Sequence, residues 1–223
     1  MKYVIRKVPE RNTAYLERLL PDALIYNDTG RIGALWSFHE AMRLADDDAV
    51  YIQDDMFLCK DFRKRAEEYI RKYKDEIVVF SNHTNTREIN IREEGFWEPK
   101  KACWLLCTYI PRAFAREYLD DVDSGRWKIE RKRLQGQYDD LNLQDYLKSK
   151  GRDVFLTVPN LAGHPANISS INKYRPIRIT DNFDYENMEP RLDGEQQREC
   201  QGTDIYSGNL NPQYLRRRQN ELR

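Results

Sequence analysis

The sequence predicts an α/β fold in which helices flank a mostly parallel sheet within a single domain. Short apolar runs alternate with helical segments along most of the chain, which is the arrangement of strands joined by crossover helices. Several of these runs are apolar throughout and not only at alternate positions, as in strands that are buried on both faces. The 223 residues are enough for one good-sized core with an extension.

The first half of the chain alternates regularly between strands and helices. Pro21 ends the first predicted helix, and the second carries its apolar residues at a spacing near 3.6. The run AVYIQ is typical of a buried strand. The predicted elements, in order, are strand 2–6, helix 14–20, strand 23–28, helix 33–45, strand 49–53, helix 61–74 and strand 76–82.

The second half is less regular. Residues 83–100 are polar and indicate loops or a short hairpin. The later predicted elements are strand 102–110, a helix from Pro111 to about Leu119, a basic loop, a helix over 139–151 capped by Asp139 and stopped by Gly151, and strand 153–159. Beyond residue 171 aliphatic residues are too few for a second core. We expect a domain over 1–171, which the extension 172–223 wraps, with a short helix at 212–222.

Charge and hydropathy exclude some classes of protein. Lys plus Arg equals Asp plus Glu at 37 each, so no overall charge attracts nucleic acid or a membrane. No run of about 18 apolar residues is present, and the N-terminus lacks the apolar region of a signal peptide, so we expect a cytoplasmic protein. Basic blocks occur at 60–74, 126–133 and 216–218; each by itself is typical of a solvated surface.

The cysteines do not indicate a zinc site. Cys103 and Cys107 are four residues apart, but no second pair and no nearby histidine completes a ligand set. Both lie in the apolar run ACWLLCTYI, so we expect buried, reduced thiols.

An acidic pair, Asp54 and Asp55, follows the predicted strand 49–53. Ligands of open α/β sheets bind at the carboxyl ends of the strands. Two adjacent carboxylates repel each other unless a cation offsets their charge, and Mg²⁺ is usually held by one or two carboxylates together with substrate phosphates. The pair therefore suggests a metal and phosphate site. The alternative is an acidic strand end at the surface, as we expect for Asp46, Asp47 and Asp48.

Four segments in order resemble those of one enzyme family. The run AVYIQDDMFLCKDF (49–62) resembles the metal-binding segment of GT-A glycosyltransferases, in which a hydrophobic strand ends in a DxD-type or xDD motif. GRIGALWSFHEAMRLA (30–45), YDDLNLQDYLKSKG (138–151) and VPNLAGHPANISSI (158–171) are similar to that family's nucleotide-side helix, late acidic motif and closing histidine-serine segment. The small lipopolysaccharide-type and phage-type transferases are the most similar. One departure is Gln53, where many relatives carry an acid.

The resemblance implies a GT-A-like, Rossmann-type domain and a role for each matching residue. Asp55 would bind the metal between the donor's two phosphates, Asp54 would contact the metal or the ribose, and His164 would be a further ligand. The metal would be Mn²⁺ or Mg²⁺, and an imidazole ligand favours Mn²⁺. The donor would be a nucleotide-diphosphate sugar, with a UDP-sugar expected. Its candidate contacts are Arg6, Asn27, Asp28, Arg31, Gln53, Ser169 and Ser170.

The same resemblance suggests a catalytic base at the start of the helix 139–151. Transfer to a hydroxyl needs a group that accepts the acceptor's proton. A helix N-terminus favours carboxylates, and one aspartate suffices for capping. We therefore assign Asp140 as the base of an inverting reaction, with Asp139 as the cap or second choice. The alternative is that both are capping or solvated acids.

Two tryptophans are candidates for acceptor binding. We expect Trp97 and Trp127 in polar loops, where aromatic faces bind sugar rings or stack on bases. Trp127 lies in the basic block 126–133, which favours DNA carrying a hydroxymethylated base that is flipped out of the stack. A lipo-oligosaccharide or other glycan acceptor is the alternative. A non-catalytic nucleotide- or nucleic-acid-binding module is a third hypothesis, but it leaves Asp55, Asp140 and His164 unexplained.

Overall fold

A computed structural model of the chain describes residues 1–30, 32–82, 91–99, 105–135, 138–164, 180 and 182–192. Arg31, Ser169, Ser170, Cys103 and the predicted helix 212–222 lie outside these ranges. None of the described helices is long and apolar enough to cross a membrane.

The described residues form nine strands and six α-helices. The strands are β1 (Lys2–Lys7), β2 (Leu24–Asn27), β3 (Ala49–Gln53), β4 (Phe57–Leu58), β5 (Val78–Val79), β6 (Gly95–Trp97), β7 (Cys107–Ile110), β8 (Val154–Leu156) and β9 (Ala162–Gly163). The helices are α1 (Ala14–Leu19), α2 (Ala34–Ala45), α3 (Phe62–Lys72), α4 (Arg112–Asp123), α5 (Arg131–Gln135) and α6 (Asp139–Ser149). A 3₁₀ turn follows at Tyr185–Asn187.

Seven strands form one mixed sheet in the order β2-β1-β3-β7-β5-β8-β6. The pairs β1–β2, β1–β3 and β5–β8 are parallel, whereas β3–β7, β5–β7 and β6–β8 are antiparallel. Strands β2, β1, β3, β5 and β8 therefore run in one direction, and β7 and β6 run in the other. The predicted α/β class, with a mostly parallel sheet flanked by helices, is confirmed. Strands β4 and β9 form a separate antiparallel pair.

The sheet is buried on both faces, as the apolar runs predict. In β3, Val50 and Ile52 belong to one core cluster, and Ala49 and Tyr51 belong to the cluster on the opposite face. Gln53, at the end of the strand, is half-buried. Burying an aliphatic side chain stabilises the fold by about 1.5–3 kcal/mol. The burial of β3 thus fixes where the chain emerges, and the acidic pair begins at that point.

Several element predictions need correction. Gly95–Trp97 is not a loop or a local hairpin: it pairs with β8 as an edge strand. Strand β5 spans two residues instead of 76–82, and α4 continues to Asp123. The predicted basic loop contains α5. The N-cap of α6 is Tyr138, so Asp139 is the first helical residue and not the cap.

The described part of the C-terminal extension packs on the domain. Phe183 is 2% exposed and belongs to the core cluster that contains Val50 and Ile52. Isolated bridges join Asn160 to Phe183 and Cys59 to Met188. Residues 182–192 are thus bonded to the segments that adjoin β4 and β9.

Candidate functional site

The carboxyl ends of β1, β2 and β3 lie side by side. In the strand register Arg6 is opposite Gln53, and Lys7 is opposite Asn27. The backbone N–H of Val8, just beyond β1, donates to Oδ2 of Asp54 at 3.1 Å. The acidic pair therefore lies at the edge where parallel α/β sheets bind ligands.

Asp55 and His164 are in contact, although they are 109 positions apart in the sequence. Nε2 of His164 is 3.2 Å from Oδ2 of Asp55, and each side chain is 13% exposed. Burial raises the pKa of Asp55, but the charge of His164 and its hydrogen bond outweigh burial and hold that pKa at about 2. Oδ1 of Asp55 is also buried, and it has no hydrogen-bond partner among the residues that the structure describes.

Asp54 occupies a less favourable electrostatic environment than its neighbour. Burial, and then the charge of Asp55, raise the pKa of Asp54 to about 6, and Arg11 opposes this rise. Two adjacent carboxylates that are largely shielded from water repel each other when both are ionised, which adds to the rise in the pKa of Asp54. The pair therefore carries negative charge that a bound cation would stabilise.

The contact between Asp55 and His164 fits a divalent ion. Two neighbouring ligand atoms on one octahedral ion, each about 2.1 Å from it, lie about 3 Å apart. The observed 3.2 Å between Nε2 and Oδ2 is close to that separation. The unpartnered oxygen of Asp55 adds a third donor atom. No three His, Cys, Asp or Glu side chains in the described part of the chain are grouped closely enough to hold an ion together. Further ligands would be water and substrate phosphates, as is usual for Mg²⁺.

Arg6, a predicted phosphate contact, forms a buried ion pair in the structure. Its Nη1 donates to Oδ2 of Asp139 at 2.9 Å, and its Nη2 donates to the carbonyl oxygen of Leu105 at 3.2 Å. The guanidinium carbon lies 4.8 Å from the ring centroid of Phe38. The side chains of Arg6 and Asp139 are 6% and 11% exposed. The pair thus ties the end of β1 to the first residue of α6.

Asp140 differs from Asp139 in its surroundings. Its Oδ1 accepts the backbone N–H of Leu141 at 2.8 Å, and the residue is 9% exposed. It lines a cavity of about 30 Å³ between α6 and the sheet, together with Leu105, Thr108 and Leu143. Its own N–H donates to Oδ1 of Asp139 at 2.9 Å, so the ion pair of Asp139 also fixes the backbone of Asp140.

The other predicted donor contacts differ in exposure. Asn27 is exposed at the end of the edge strand β2. Asp28 is buried; its Oδ1 accepts the N–H of Ile32 at 3.0 Å, and its own N–H donates to Lys7 at 2.8 Å. Gln53 donates its N–H to the carbonyl oxygen of Leu106 at 2.8 Å. Asn27 and Gln53 therefore lie at the strand ends with some exposure, whereas Asp28 shapes the loop that follows β2.

The two acceptor candidates pack against the core. Trp97 lies on β6 and not in a polar loop as predicted. Trp127 lies in a loop, but its Nε1–H donates to Oδ1 of Asn142 at 3.2 Å, and its ring meets that of Tyr146 edge-on at 5.3 Å. Both indoles are partly buried against one core cluster. The contacts of Trp97 and Trp127 are those of side chains that pack against the core.

Three residues at the site have no counterpart in the sequence prediction. Arg11, in the loop after β1, is close enough to lower the pKa of both aspartates. Arg11 lies a few residues beyond the end of a strand, and this position could have indicated it as a site residue. Thr180 and Tyr185 contact the backbone of His164. Nothing in the local sequence indicates that contact.

Comparison with known proteins does not assign the chain to a family. No protein-family model matches the chain, and no curated protein matches it with significant similarity. Two groups of residues near the carboxyl edge of the sheet are the candidates for function: the Asp54-Asp55-His164 cluster with Arg11, and the Arg6–Asp139 ion pair with Asp140.

Proposed function

We propose that this protein is a metal-dependent glycosyltransferase of GT-A-like fold that uses a nucleotide-diphosphate sugar, with a UDP-sugar as donor. The observation that carries the proposal is Asp55 itself. One of its oxygens contacts His164, and the other is buried without a partner among the described residues, at the carboxyl end of a central strand. That arrangement supports a divalent ion that is shared with a diphosphate.

The donor would bind along the ends of β1, β2 and β3. Asp55 and His164 would hold Mn²⁺ or Mg²⁺, which when bound would act as a Lewis acid toward the departing diphosphate. Asp54 would contact the ribose of the donor or add its charge next to the ion. Arg11 adds positive charge next to the aspartates, which suits a phosphate group. Asn27 and Gln53, at the strand ends, would contact the nucleoside, and Asp28 holds the loop beside them.

Asp140 is the proposed base. The acceptor hydroxyl oxygen would form a bond to the anomeric carbon as the bond from that carbon to the diphosphate breaks, and the hydroxyl proton would pass to the Asp140 carboxylate. Attack from the face opposite the leaving group inverts the anomeric configuration. The ion pair of Arg6 with Asp139 would position Asp140 through the shared hydrogen bond.

A donor-hydrolysis assay tests the proposed activity. Purified protein with UDP-glucose and Mn²⁺ should release UDP slowly, as transferases do when water replaces the acceptor, and EDTA should abolish the release. Other UDP-sugars would be assayed in parallel. Binding of UDP without turnover of any sugar nucleotide would instead identify a non-catalytic nucleotide-binding module.

We propose DNA that carries hydroxymethylated bases as the acceptor. Supporting this are the exposed basic side chains of the segment after α4, Arg126, Lys128, Arg131 and Lys132, although Arg126 and Lys132 also pair with acids. Radiolabelled UDP-glucose would be incubated with duplex DNA containing 5-hydroxymethyl-pyrimidines and, separately, with lipo-oligosaccharide. Label in the DNA that declines steeply with salt supports the proposal. Label only in the glycan would reject it.

A further inference from the structure

The described C-terminal segment, Thr180 with residues 182–192, surrounds the backbone of His164. We infer that this segment is a clamp that fixes His164 against Asp55, with Thr180 and Tyr185 as its positioning residues. The inference rests on the proposed function only in taking His164 as a metal ligand. It gives the extension a role in completing the site.

Both backbone polar groups of His164 are held by side chains of the segment. The N–H of His164 donates to Oγ1 of Thr180 at 2.6 Å. The hydroxyl of Tyr185 donates to the carbonyl oxygen of His164 at 2.7 Å and accepts the N–H of Thr180 at 3.1 Å. Three hydrogen bonds thus close a ring through the three residues. Because Thr180 is fully buried and Tyr185 half-buried, little water competes for these bonds.

The residue before His164, Gly163, is packed closely against the same segment. A Cβ atom built on Gly163 would lie 2.3 Å from the ring of Phe183, closer than any real contact. Phe183 is 2% exposed and meets Tyr185 edge-on, with ring centroids 4.7 Å apart. The ring of Phe183 therefore fixes the approach of β9, and only glycine allows it.

The segment also holds the strand that follows the acidic pair. The N–H of Glu189 donates to the carbonyl oxygen of Leu58 at 2.9 Å, and the N–H of Lys60 donates to Asn187 at 3.2 Å. Strand β4 begins two residues after Asp55 and pairs directly with β9, with Phe57 opposite Gly163. One segment thus contacts both strands that adjoin the candidate ligands, β4 after Asp55 and β9 before His164, so it fixes the separation of Asp55 and His164.

The clamp should affect metal affinity because it holds the His164 ligand in its orientation. Some groups hold a metal ligand in place without touching the ion. Removing such a group typically weakens metal affinity by about 10–100-fold. Losing the Tyr185 hydroxyl frees the carbonyl of His164 and loosens Thr180. The imidazole would then sample positions away from Asp55.

Tyr185→Phe tests the clamp, with Tyr109→Phe as its matched control. Both changes delete one hydroxyl and keep the ring, and the Tyr109 hydroxyl also donates to a backbone carbonyl, that of Lys74, at 2.7 Å. Thr180→Val is a second variant. Amide hydrogen exchange over residues 160–164 would be measured without metal, and Mn²⁺ affinity would be measured by electron paramagnetic resonance.

We expect exchange over 160–164 to quicken at least about tenfold in Tyr185→Phe and Thr180→Val and to stay unchanged in Tyr109→Phe. Mn²⁺ affinity should fall about tenfold or more in the first two variants only. Unchanged exchange, or quickened exchange with wild-type Mn²⁺ affinity, would overturn the inference. If the wild-type protein binds no Mn²⁺, the metal part of the proposed function fails, whereas quickened exchange would still support a clamp on His164.

Discussion

Asp139 and Asp140 are adjacent in sequence but have different environments. Asp139 forms a buried ion pair with Arg6, whereas Asp140 contacts a backbone N–H and lines a cavity. The sequence shows two equivalent acids at a helix start, and only the packing of Arg6 against α6 distinguishes them. Asp139, predicted as the helix cap or second choice of base, is therefore structural through its ion pair and not as the cap, and Asp140 stays the candidate for the predicted base.

This division predicts opposite effects for two identical substitutions. Asp139→Asn leaves the charge of Arg6 buried without its partner, which typically costs about 3–5 kcal/mol, so the unfolding temperature should fall markedly. Asp140→Asn should change the unfolding temperature by only a few degrees but lower the transfer rate by about 10²–10⁴-fold. Thermal unfolding and steady-state kinetics on both variants check this.

A compensating variant supplies the control. Arg6→Met with Asp139→Leu removes both charges and should recover much of the stability lost in Asp139→Asn. If Asp139→Asn is as stable as the wild type, the ion pair does not hold α6 as we describe.

His39 is a buried histidine whose protonation opposes folding. It is fully buried, and its Nε2 hydrogen-bonds the Tyr118 hydroxyl at 2.7 Å. Burial, and then the charge of Arg43, lower the pKa of His39 to about 4. As the pH falls, the unfolded state therefore binds a proton on His39 at a higher pH than the folded state does. The contribution of His39 to stability is fully present above about pH 6.5. It is lost as the pH falls from there to about 4, by at most about 3 kcal/mol.

His39→Gln should remove this dependence. The free energy of unfolding of the wild type should decline between pH 6.5 and 4, and that of the variant should be flatter over the same window. Urea unfolding at several pH values measures it. A decline of equal size in both proteins would show that His39 does not cause it.

At the scale of elements, α4 and α6 are joined through one carboxylate. Asp121 on α4 accepts from Lys150 at 2.9 Å, from Arg126 at 2.6 Å and from the Tyr146 hydroxyl at 2.8 Å. The bonds to Lys150 and then Arg126 lower the pKa of Asp121 well below its ordinary value. Its contribution to stability is therefore present above about pH 4 and is lost as the pH falls through the lower, folded pKa.

Asp121→Asn should lower the free energy of unfolding at pH 7. It should also reduce the further decline of that free energy below pH 4, a range outside the one in which His39 titrates. Asp120→Asn, one position earlier on the exposed side of α4, is the control. The same urea series, extended to pH 2, distinguishes them. If the unfolding free energy of Asp121→Asn declines below pH 4 as steeply as that of the wild type, the assignment is contradicted.

The long elements were predictable, and three of the short strands were not. Helix α2 and strand β3 follow from apolar spacing and a continuous apolar run. Strands β4, β6 and β9 span only two or three residues, and each exists because a distant segment pairs with it. Local propensity carries no information on such pairing, since the partner decides the conformation.

At the scale of the whole molecule, topology explains which parts of the site could be predicted. Parallel strands bring their carboxyl ends to one edge, so the sequence could place Asp55 near other strand ends. The structure brings His164 to Asp55, as the predicted shared metal site requires. The ion pair of Arg6 with Asp139 joins residues 133 positions apart, and the bond of Tyr185 to His164 joins residues 21 positions apart. Both depend on side-chain packing that no local pattern records.

The most direct test of the central claim is UDP-sugar hydrolysis with Mn²⁺ by Asp55→Asn. The change keeps the shape of the side chain and removes its charge. Asp61→Asn is the matched control: Asp61 is exposed, makes no cap hydrogen bond and has a left-handed backbone that asparagine tolerates. We predict that Asp55→Asn loses at least about a hundredfold in rate while Asp61→Asn keeps the wild-type rate, because a Lewis acid contributes several kcal/mol. Full Mn²⁺-dependent activity in Asp55→Asn would contradict the assignment of Asp55 as the metal ligand.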